Sequence, residues 1–147
     1  MRHIFKKNKN IILPYCKDSK ILESCLQCED SPCINICDEK IIKKEESEIS
    51  LDFSSSGCTF CAKCADICKE KSFGLLDLGL GDNIFANINL DKNKCLAWNK
   101  TLCRYCLDIC DKKSIKFIGD LYPQINETCN KCGFCISVCP TYCINIF

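Results

Sequence analysis

Histidine is almost missing from this chain: one residue, His3, occurs among 147. A histidine-based triad or general base is therefore not expected, least of all from a position so near a terminus. Glycine is sparse, at six residues, and no phosphate or dinucleotide fingerprint follows a strand. Gly79-Leu80-Gly81 lacks both the third glycine and the helix that such a motif needs. A surplus of charge is also absent, with 20 Lys plus Arg against 19 Asp plus Glu and a pI near 7.3. No field for binding nucleic acid follows from that balance.

Long apolar runs are absent too. After the opening residues the apolar stretch is only Ile11, Ile12 and Leu13, and Pro14 breaks it. That is short of the apolar region of about 7–15 residues in a secretory signal. Nothing approaches the 18 or more residues of a membrane span. The expectation is a soluble protein of the reducing cytoplasm. The one local bias is Arg2, Lys6, Lys7 and Lys9. It reads first as a solvated, frayed end, and second as a docking arm for an acidic partner or a membrane surface.

What the chain has instead is cysteine, 18 residues. At about 12 % this exceeds ordinary globular usage. In a reducing compartment, cysteines in patterned groups are metal ligands rather than disulfides. Sixteen of them fall into four groups. Cys25, Cys28, Cys33 and Cys37 are spaced C-x2-C-x4-C-x3-C. Cys58, Cys61, Cys64 and Cys68 are spaced C-x2-C-x2-C-x3-C, as are Cys129, Cys132, Cys135 and Cys139. Cys95, Cys103, Cys106 and Cys110 form C-x7-C-x2-C-x3-C.

Three cysteines at x2 spacing let one tight loop wrap a cubane and reach three irons. The fourth, three residues on, faces away along a helical turn, and in two-cluster ferredoxins it binds the other cluster. Applied here, the [4Fe–4S] ligand sets are Cys25, Cys28, Cys33 and Cys68; Cys37, Cys58, Cys61 and Cys64; Cys95, Cys103, Cys106 and Cys139; and Cys110, Cys129, Cys132 and Cys135. Zinc is disfavoured, because its sites usually set one C-x2-C pair well apart from a second. Two cysteines are left over. Cys143 reads as a small apolar filler, with a swap ligand as the alternative. Cys16 reads as a packing or surface thiol, with redox sensing the lesser option.

Twenty residues separate Cys37 from Cys58 and eighteen separate Cys110 from Cys129, whereas 26 separate Cys68 from Cys95. Two units of two groups fit these gaps. The predicted fold is α+β, as tandem bacterial-type 2[4Fe–4S] ferredoxin-like halves with short hairpins and short helices. The expected divisions are 1–15 as a basic extension, 16–76 as the first half, 77–92 as a connector and 93–147 as the second half. Residues 48–53 alternate Ile49, Leu51 and Phe53 as a strand, and residues 84–90 do something similar. Residues 115–118 and 121–125 read as a hairpin turning at Gly119-Asp120, and Ile144-Asn145-Ile146-Phe147 as a closing strand. Single helical turns are expected at the C-x3-C segments, for example residues 65–69. Apolar residues are too scattered to predict a large core, so the clusters are expected to replace one. Trp98, Phe60, Phe73, Tyr105 and Phe134 lie beside cysteine groups and are read as shields against water.

The second and fourth groups are similar to bacterial ferredoxin motifs. The first, with x4 spacing and Pro32 before its third cysteine, resembles the electron-transfer subunits of molybdoenzymes related to dimethyl sulfoxide reductase. The third is the most telling: Cys95-Leu96-Ala97-Trp98, then Cys103-Arg104-Tyr105-Cys106 and Asp108-x-Cys110, resemble the NapF family, ferredoxin-type accessory proteins of periplasmic nitrate reductase. Leu121-Tyr122-Pro123-Gln124-Ile125-Asn126 and the fourth group continue the match, which runs over residues 11–146. The absence of proline after Cys37 and Cys110, where Asp38 and Asp111 stand, also suits that family. The x4 spacing of the first group and Lys69 after Cys68 depart from it.

The resemblance implies a cytoplasmic protein that contacts the molybdenum-containing catalytic subunit and helps it mature, by electron transfer. Without a substrate site of its own, the chain is read as an accessory protein and not an enzyme. The other readings are an electron-transfer subunit or carrier of another anaerobic respiratory oxidoreductase, and a redox-sensing or structural cluster module. Pairing also stays open. Gap lengths favour first with second and third with fourth, whereas the molybdoenzyme subunits imply first with fourth and second with third.

Overall fold

The computed structural model describes residues 13–18, 21–46, 49–71 and 73–147. The basic terminus with Arg2, Lys6, Lys7 and Lys9, the histidine at position 3, Ile11, Ile12 and Glu48 lie outside the described residues. The elements are short: α1 (Ile21–Leu26), α2 (Pro32–Ile36), β1 (Ile42–Lys44), β2 (Ile49–Leu51), α3 (Lys63–Lys71), a single 3-10 turn (Leu78–Leu80), β3 (Ile88–Leu90), α4 (Tyr105–Asp108), β4 (Ile115–Ile118), β5 (Tyr122–Ile125), α5 (Phe134–Ser137) and β6 (Ile144–Ile146). The strands pair as three antiparallel two-stranded sheets, β1 with β2, β4 with β5, and β3 with β6. This α+β arrangement is compatible with a ferredoxin-like fold.

One local rule generates much of it. Three residues past the last cysteine of the first, third and fourth groups, the chain takes a left-handed step at Lys40 (φ 53°), Lys113 (φ 51°) and Tyr142 (φ 50°). Each donates its N–H back to the carbonyl of that cysteine, at 3.1, 2.9 and 3.2 Å. Two residues later a strand begins on a buried isoleucine, Ile42, Ile115 or Ile144. Left-handed backbone costs a non-glycine residue roughly 1–2 kcal/mol. Burying the isoleucine returns roughly 1.5–3 kcal/mol, so the turn is affordable.

The second group breaks the rule. Lys69 keeps the N–H that a proline would remove, and α3 runs nine residues instead of the single turn expected. Pro140, directly after Cys139, bars the same extension of α5. The end of α3 is tied down by Gly74 (φ 62°), whose N–H reaches the Cys68 carbonyl at 3.0 Å.

The hairpin of β4 and β5 turns through Gly119 and Asp120, both at positive φ (57° and 59°), as a type I′ turn requires. Leu121 N–H closes it on the Ile118 carbonyl at 3.3 Å. Ile49, Leu51 and Phe53 are buried while Asp52 is exposed, as the period of two predicts. Their partner β1 is an element that the alternation of its neighbour did not announce. Residues 84–90 hold less strand than expected, only β3, and β6 closes on it in the register Ile88↔Ile146.

Two buried cores result. One gathers Leu13, Tyr15, Ile41, Ile42, Ile49, Leu51, Phe53, Leu76, Ile84 and Ile146 with four cysteines and Ala65. The other gathers Cys95, Ala97, Ile115, Cys135, Cys139, Cys143 and Ile144. The first is more aliphatic than the scattered sequence pattern suggested, because it draws on residues as distant as Leu13 and Ile146. Leu13, Pro14 and Tyr15, expected in the terminal extension, are buried in it.

Candidate metal centres

The two C-x2-C-x2-C loops share a backbone signature. In the second group Phe60 (φ 53°) and Ala62 (φ 63°) flank Cys61, and in the fourth Lys131 (φ 59°) and Gly133 (φ 88°) flank Cys132. Left-handed residues on either side of the middle cysteine curl the loop so that successive N–H groups line its concave side, a nest suited to anions. Phe60 N–H already reaches Cys58 Sγ at 3.4 Å. Ser114 N–H reaches Cys110 Sγ at 3.3 Å and Cys143 N–H reaches Cys139 Sγ at 3.4 Å.

The x4 loop of the first group is held differently. Ser31 sits buried at φ 38° just before Pro32 opens α2. Ser31 Oγ donates to the Cys28 carbonyl at 2.9 Å, and Lys44 Nζ, from β1, donates to that carbonyl at 2.6 Å and to Ser31 Oγ at 2.9 Å. Lys44 was not foreseen as part of the site. Nothing in its local sequence marks it, since it acts sixteen residues from its partner.

Cys37, Cys58, Cys61 and Cys64 line one cavity, walled by Tyr15, Ile41, Ile42 and Phe60. Cys95, Cys103, Cys106, Cys139 and Cys143 line a second, with Ala97, Pro140 and Ile144. Cys110, Cys129, Cys132 and Cys135 line a third, about 360 Å³, which Cys58 and Phe60 also border. Among the described residues, no three Cys, His, Asp or Glu close on a position for one metal ion.

Neighbouring thiols identify themselves by their mutual electrostatics. Burial first, then the charges of Cys33, Cys68, Cys16 and Cys28, pushes Cys25 up to about 11. Burial followed by Cys58, Cys61 and Cys33 pushes Cys64 to about 12. For Cys58 the causes that raise it to about 11 are burial, then Cys37, Cys61 and Cys132. Cys106 rises to about 11 through burial and then Cys103, Cys95 and Cys139. Cys135 rises further still, through burial, then Cys132, Cys129, Cys106 and Cys110. Cys25, Cys58, Cys64, Cys106 and Cys135 are thus held as neutral thiols, each able to give up its proton to a cation. Such donors fit an iron–sulfur cluster, whose ligands are thiolates.

The aromatics divide. Phe60 and Phe134 border cavities with cysteines, and Phe60 packs edge-on to Tyr15 at 6.2 Å between centroids. Phe73 is mostly exposed, at 57 %, and shields little, whereas Tyr105, 61 % exposed, still lines the cavity of Cys103 and Cys106. Trp98 acts as a staple: its Nε1–H donates to the Pro123 carbonyl at 3.1 Å, and its ring lies 4.7 Å from Tyr122 with Lys92 Nζ 4.4 Å above it. Tyr15 is the other residue that the sequence did not single out. It is buried, burial raises its hydroxyl pKa, and its O–H donates to Asp82 at 3.4 Å.

Of the leftover cysteines, Cys16 is buried, 1 % exposed, which excludes a surface thiol, and its Sγ donates to the Asp18 carbonyl at 3.4 Å. Cys143 is also buried, and its Sγ lies 3.4 Å from Cys139 Sγ. That contact lowers the Cys139 pKa and raises that of Cys143.

No protein-family model matches the chain. It is 32 % identical to the ferredoxin-type protein NapF of Escherichia coli strain K12 over 146 residues, covering 95 % of this chain and 85 % of the relative. The same identity and coverage hold for ferredoxin-type protein NapF of Escherichia coli O157:H7. The chain belongs to the NapF family. Its cysteine complement and its family together are those of an iron–sulfur, ferredoxin-type electron-transfer protein. Within this NapF-family chain, no helix among the described residues is long and apolar enough to cross a membrane.

Proposed function

We propose that this NapF-family chain is a cytoplasmic carrier of four [4Fe–4S] clusters that binds the molybdenum-containing catalytic subunit of periplasmic nitrate reductase and helps it mature by supplying electrons. Cys25, Cys28, Cys33 and Cys68 would hold the first cluster, and Cys37, Cys58, Cys61 and Cys64 the second. Cys95, Cys103, Cys106 and Cys139 would hold the third, and Cys110, Cys129, Cys132 and Cys135 the fourth. The observation that carries this reading is that three cavities each bring three cysteines of one sequence group together with the last cysteine of a neighbouring group. The same neighbours favour pairing of the first group with the second and the third with the fourth, in units 16–76 and 93–147 joined by residues 77–92.

When bound, each cluster supplies a one-electron couple. The chain does the rest. The left-handed residues around Cys61 and Cys132 would present N–H groups to an anionic cluster held there, and hydrogen bonds to its sulfurs would tune the potential. Tyr15, Phe60, Ile41 and Ile42 keep water from one site. Lys44 fixes the loop from Cys28 to Cys33. The role toward nitrate reductase rests on the resemblance of residues 95–139 and on membership of the family.

Iron and sulfide analysis of protein prepared without air tests the cofactor: about sixteen irons per chain are expected, four for each cubane. EPR of the reduced protein should show [4Fe–4S] signals, and a zinc-loaded or iron-poor product overturns the assignment. Capture of the catalytic-subunit precursor from cytoplasmic extract tests the partner. Full clusters without that complex would leave a general electron carrier as the function.

A further inference from the structure

The second and fourth cysteine loops, which share one backbone signature, also touch. Cys58 N–H donates to the Cys132 carbonyl at 2.6 Å, and Ile84 N–H donates to the Asn130 carbonyl at 3.0 Å. Two glycines make the approach possible. A Cβ on Gly57 would stand 2.5 Å from Phe134 N and 2.7 Å from the Cys132 carbonyl oxygen. A Cβ on Gly133, at φ 88°, would stand 2.2 Å from the Phe53 ring. Backbone cannot yield to the contact at Gly57, and at Gly133 the opposing Phe53 ring is buried in the core with no room to swing clear, so both positions are closed to a side chain. The contact is also anchored on both sides. Phe53 belongs to the aliphatic core, and Ile146, from the closing strand, is buried in that same core.

The other neighbours complete an order. Cys33 of the first group lies in electrostatic reach of Cys64 of the second, and Cys106 of the third in reach of Cys135 of the fourth. Cys58 borders the cavity of the fourth group. We infer that Gly57–Cys58 and Cys132–Gly133 form a fixed junction that holds the second and fourth groups together, so the groups run first, second, fourth, third. The first and third then stand at the ends, where electrons would enter or leave. Gly57 and Gly133 are positioning residues: they supply no thiolate but set the separation of the two inner sites. This inference rests on the four-cluster reading, and it fails separately from it.

The test uses the full chain loaded with iron and sulfide under argon. Iron per chain comes first, because a value far below sixteen defeats the cluster reading and says nothing against the junction. Gly57→Ala and Gly133→Ala are then compared with Gly119→Ala, a glycine also at positive φ but with nothing within 4 Å of its added Cβ. Two readouts apply: amide hydrogen exchange at Cys58 and Ile84, and the spin–spin broadening in EPR of the reduced protein. Gly57→Ala should speed exchange at Cys58 at least about tenfold and alter the broadened signal with iron content kept, while Gly119→Ala changes neither. An unaltered signal and unaltered Cys58 exchange in Gly57→Ala overturn the junction. Should both junction variants lose iron, the unchanged loaded chain decides. Exchange at Cys58 slowed about a hundredfold relative to exposed loop amides supports the junction, and unprotected exchange there overturns it.

Discussion

Among the described residues, cysteines supply four of fifteen buried in the core around Ile42 and Phe53, whereas in the core around Ile115 they supply four of seven. Among the described residues, the first core has nine buried large apolar side chains besides Tyr15, from Leu13 to Ile146, and the second has Ile115 and Ile144, with Ile88, Leu90, Trp98, Phe117 and Ile125 packed partly buried against it. Each such side chain is worth roughly 1.5–3 kcal/mol when fully buried and less when partly buried, so the second region gains less hydrophobic stabilisation than the first. Its thiols stand where aliphatic carbons would otherwise be. On the proposed ligand sets, the first region would keep a core of its own without clusters, and the second would lean on its clusters far more.

The sharpest way to break this contrast is to strip iron from the loaded chain with a chelator and follow hydrogen exchange by region. Residues 93–147 should lose protection almost completely, while β1, β2 and the Ile41–Phe53 core keep a measurable part of theirs. Equal loss in both regions would sink the comparison.

A pair of substitutions comes next in size. Cys135→Ser removes a buried thiol of the second core and should cost the fourth group its iron, with cooperative loss of the β4–β5 hairpin. Ile42→Ala in the first core should keep full iron and cost about 2–4 kcal/mol, read from chemical denaturation.

Alkaline pH gives a smaller and graded effect. In the first region, burial first and then neighbouring thiols push Cys25 and Cys58 up to about 11 and Cys64 up to about 12, above their ordinary value. A raised folded pKa means that each thiol stabilises the metal-free fold fully below the unfolded pKa, near 8.5. That contribution drains away as pH rises toward 11–12. The metal-free chain should thus lose circular dichroism between about pH 9 and 12, whereas iron-loaded chain, already ionised at sulfur, holds its signal over the same range. A flat titration of the metal-free form would contradict the burial of these thiols.

Much of the architecture was legible because it is local. Cysteine spacing, the Gly119-Asp120 turn and the alternation of Ile49, Leu51 and Phe53 each depend on residues a few positions apart. So does the closing strand at Ile144–Ile146, although its partner β3 lies more than fifty residues away and no local pattern could name it. The length of α3 was misjudged for a reason visible afterwards: Lys69 in place of proline lets the helix continue. Lys44 on the first-group loop, Tyr15 beside the second group and the pair Gly57 and Gly133 were out of reach, since each is defined by a contact across the fold. Trp98 was noticed for its place beside Cys95, but its indole points its N–H at Pro123 and works as a staple.

The two leftover cysteines sharpen the comparison at its finest scale, one in each core. Cys16 is wedged among Leu13, Tyr15 and the other first-core residues and gives its S–H to the Asp18 carbonyl. Serine can make that hydrogen bond but is less apolar and smaller, so Cys16→Ser should lower stability by about 1 kcal/mol and leave iron unchanged. Cys143 stands against Cys139 Sγ, and serine at this position keeps a donor there. Cys143→Ala removes it, leaving the Cys143 backbone N–H as a donor to that sulfur. Iron should be retained in both Cys143 variants. The ones to compare are then the EPR signal and midpoint potential of the third group, shifted in Cys143→Ala and largely restored in Cys143→Ser. Loss of about four irons from Cys143→Ser but not from Cys139→Ser would reverse the assignment and make Cys143 the ligand, because the chain would then be reading the second sulfur of that contact as its fourth.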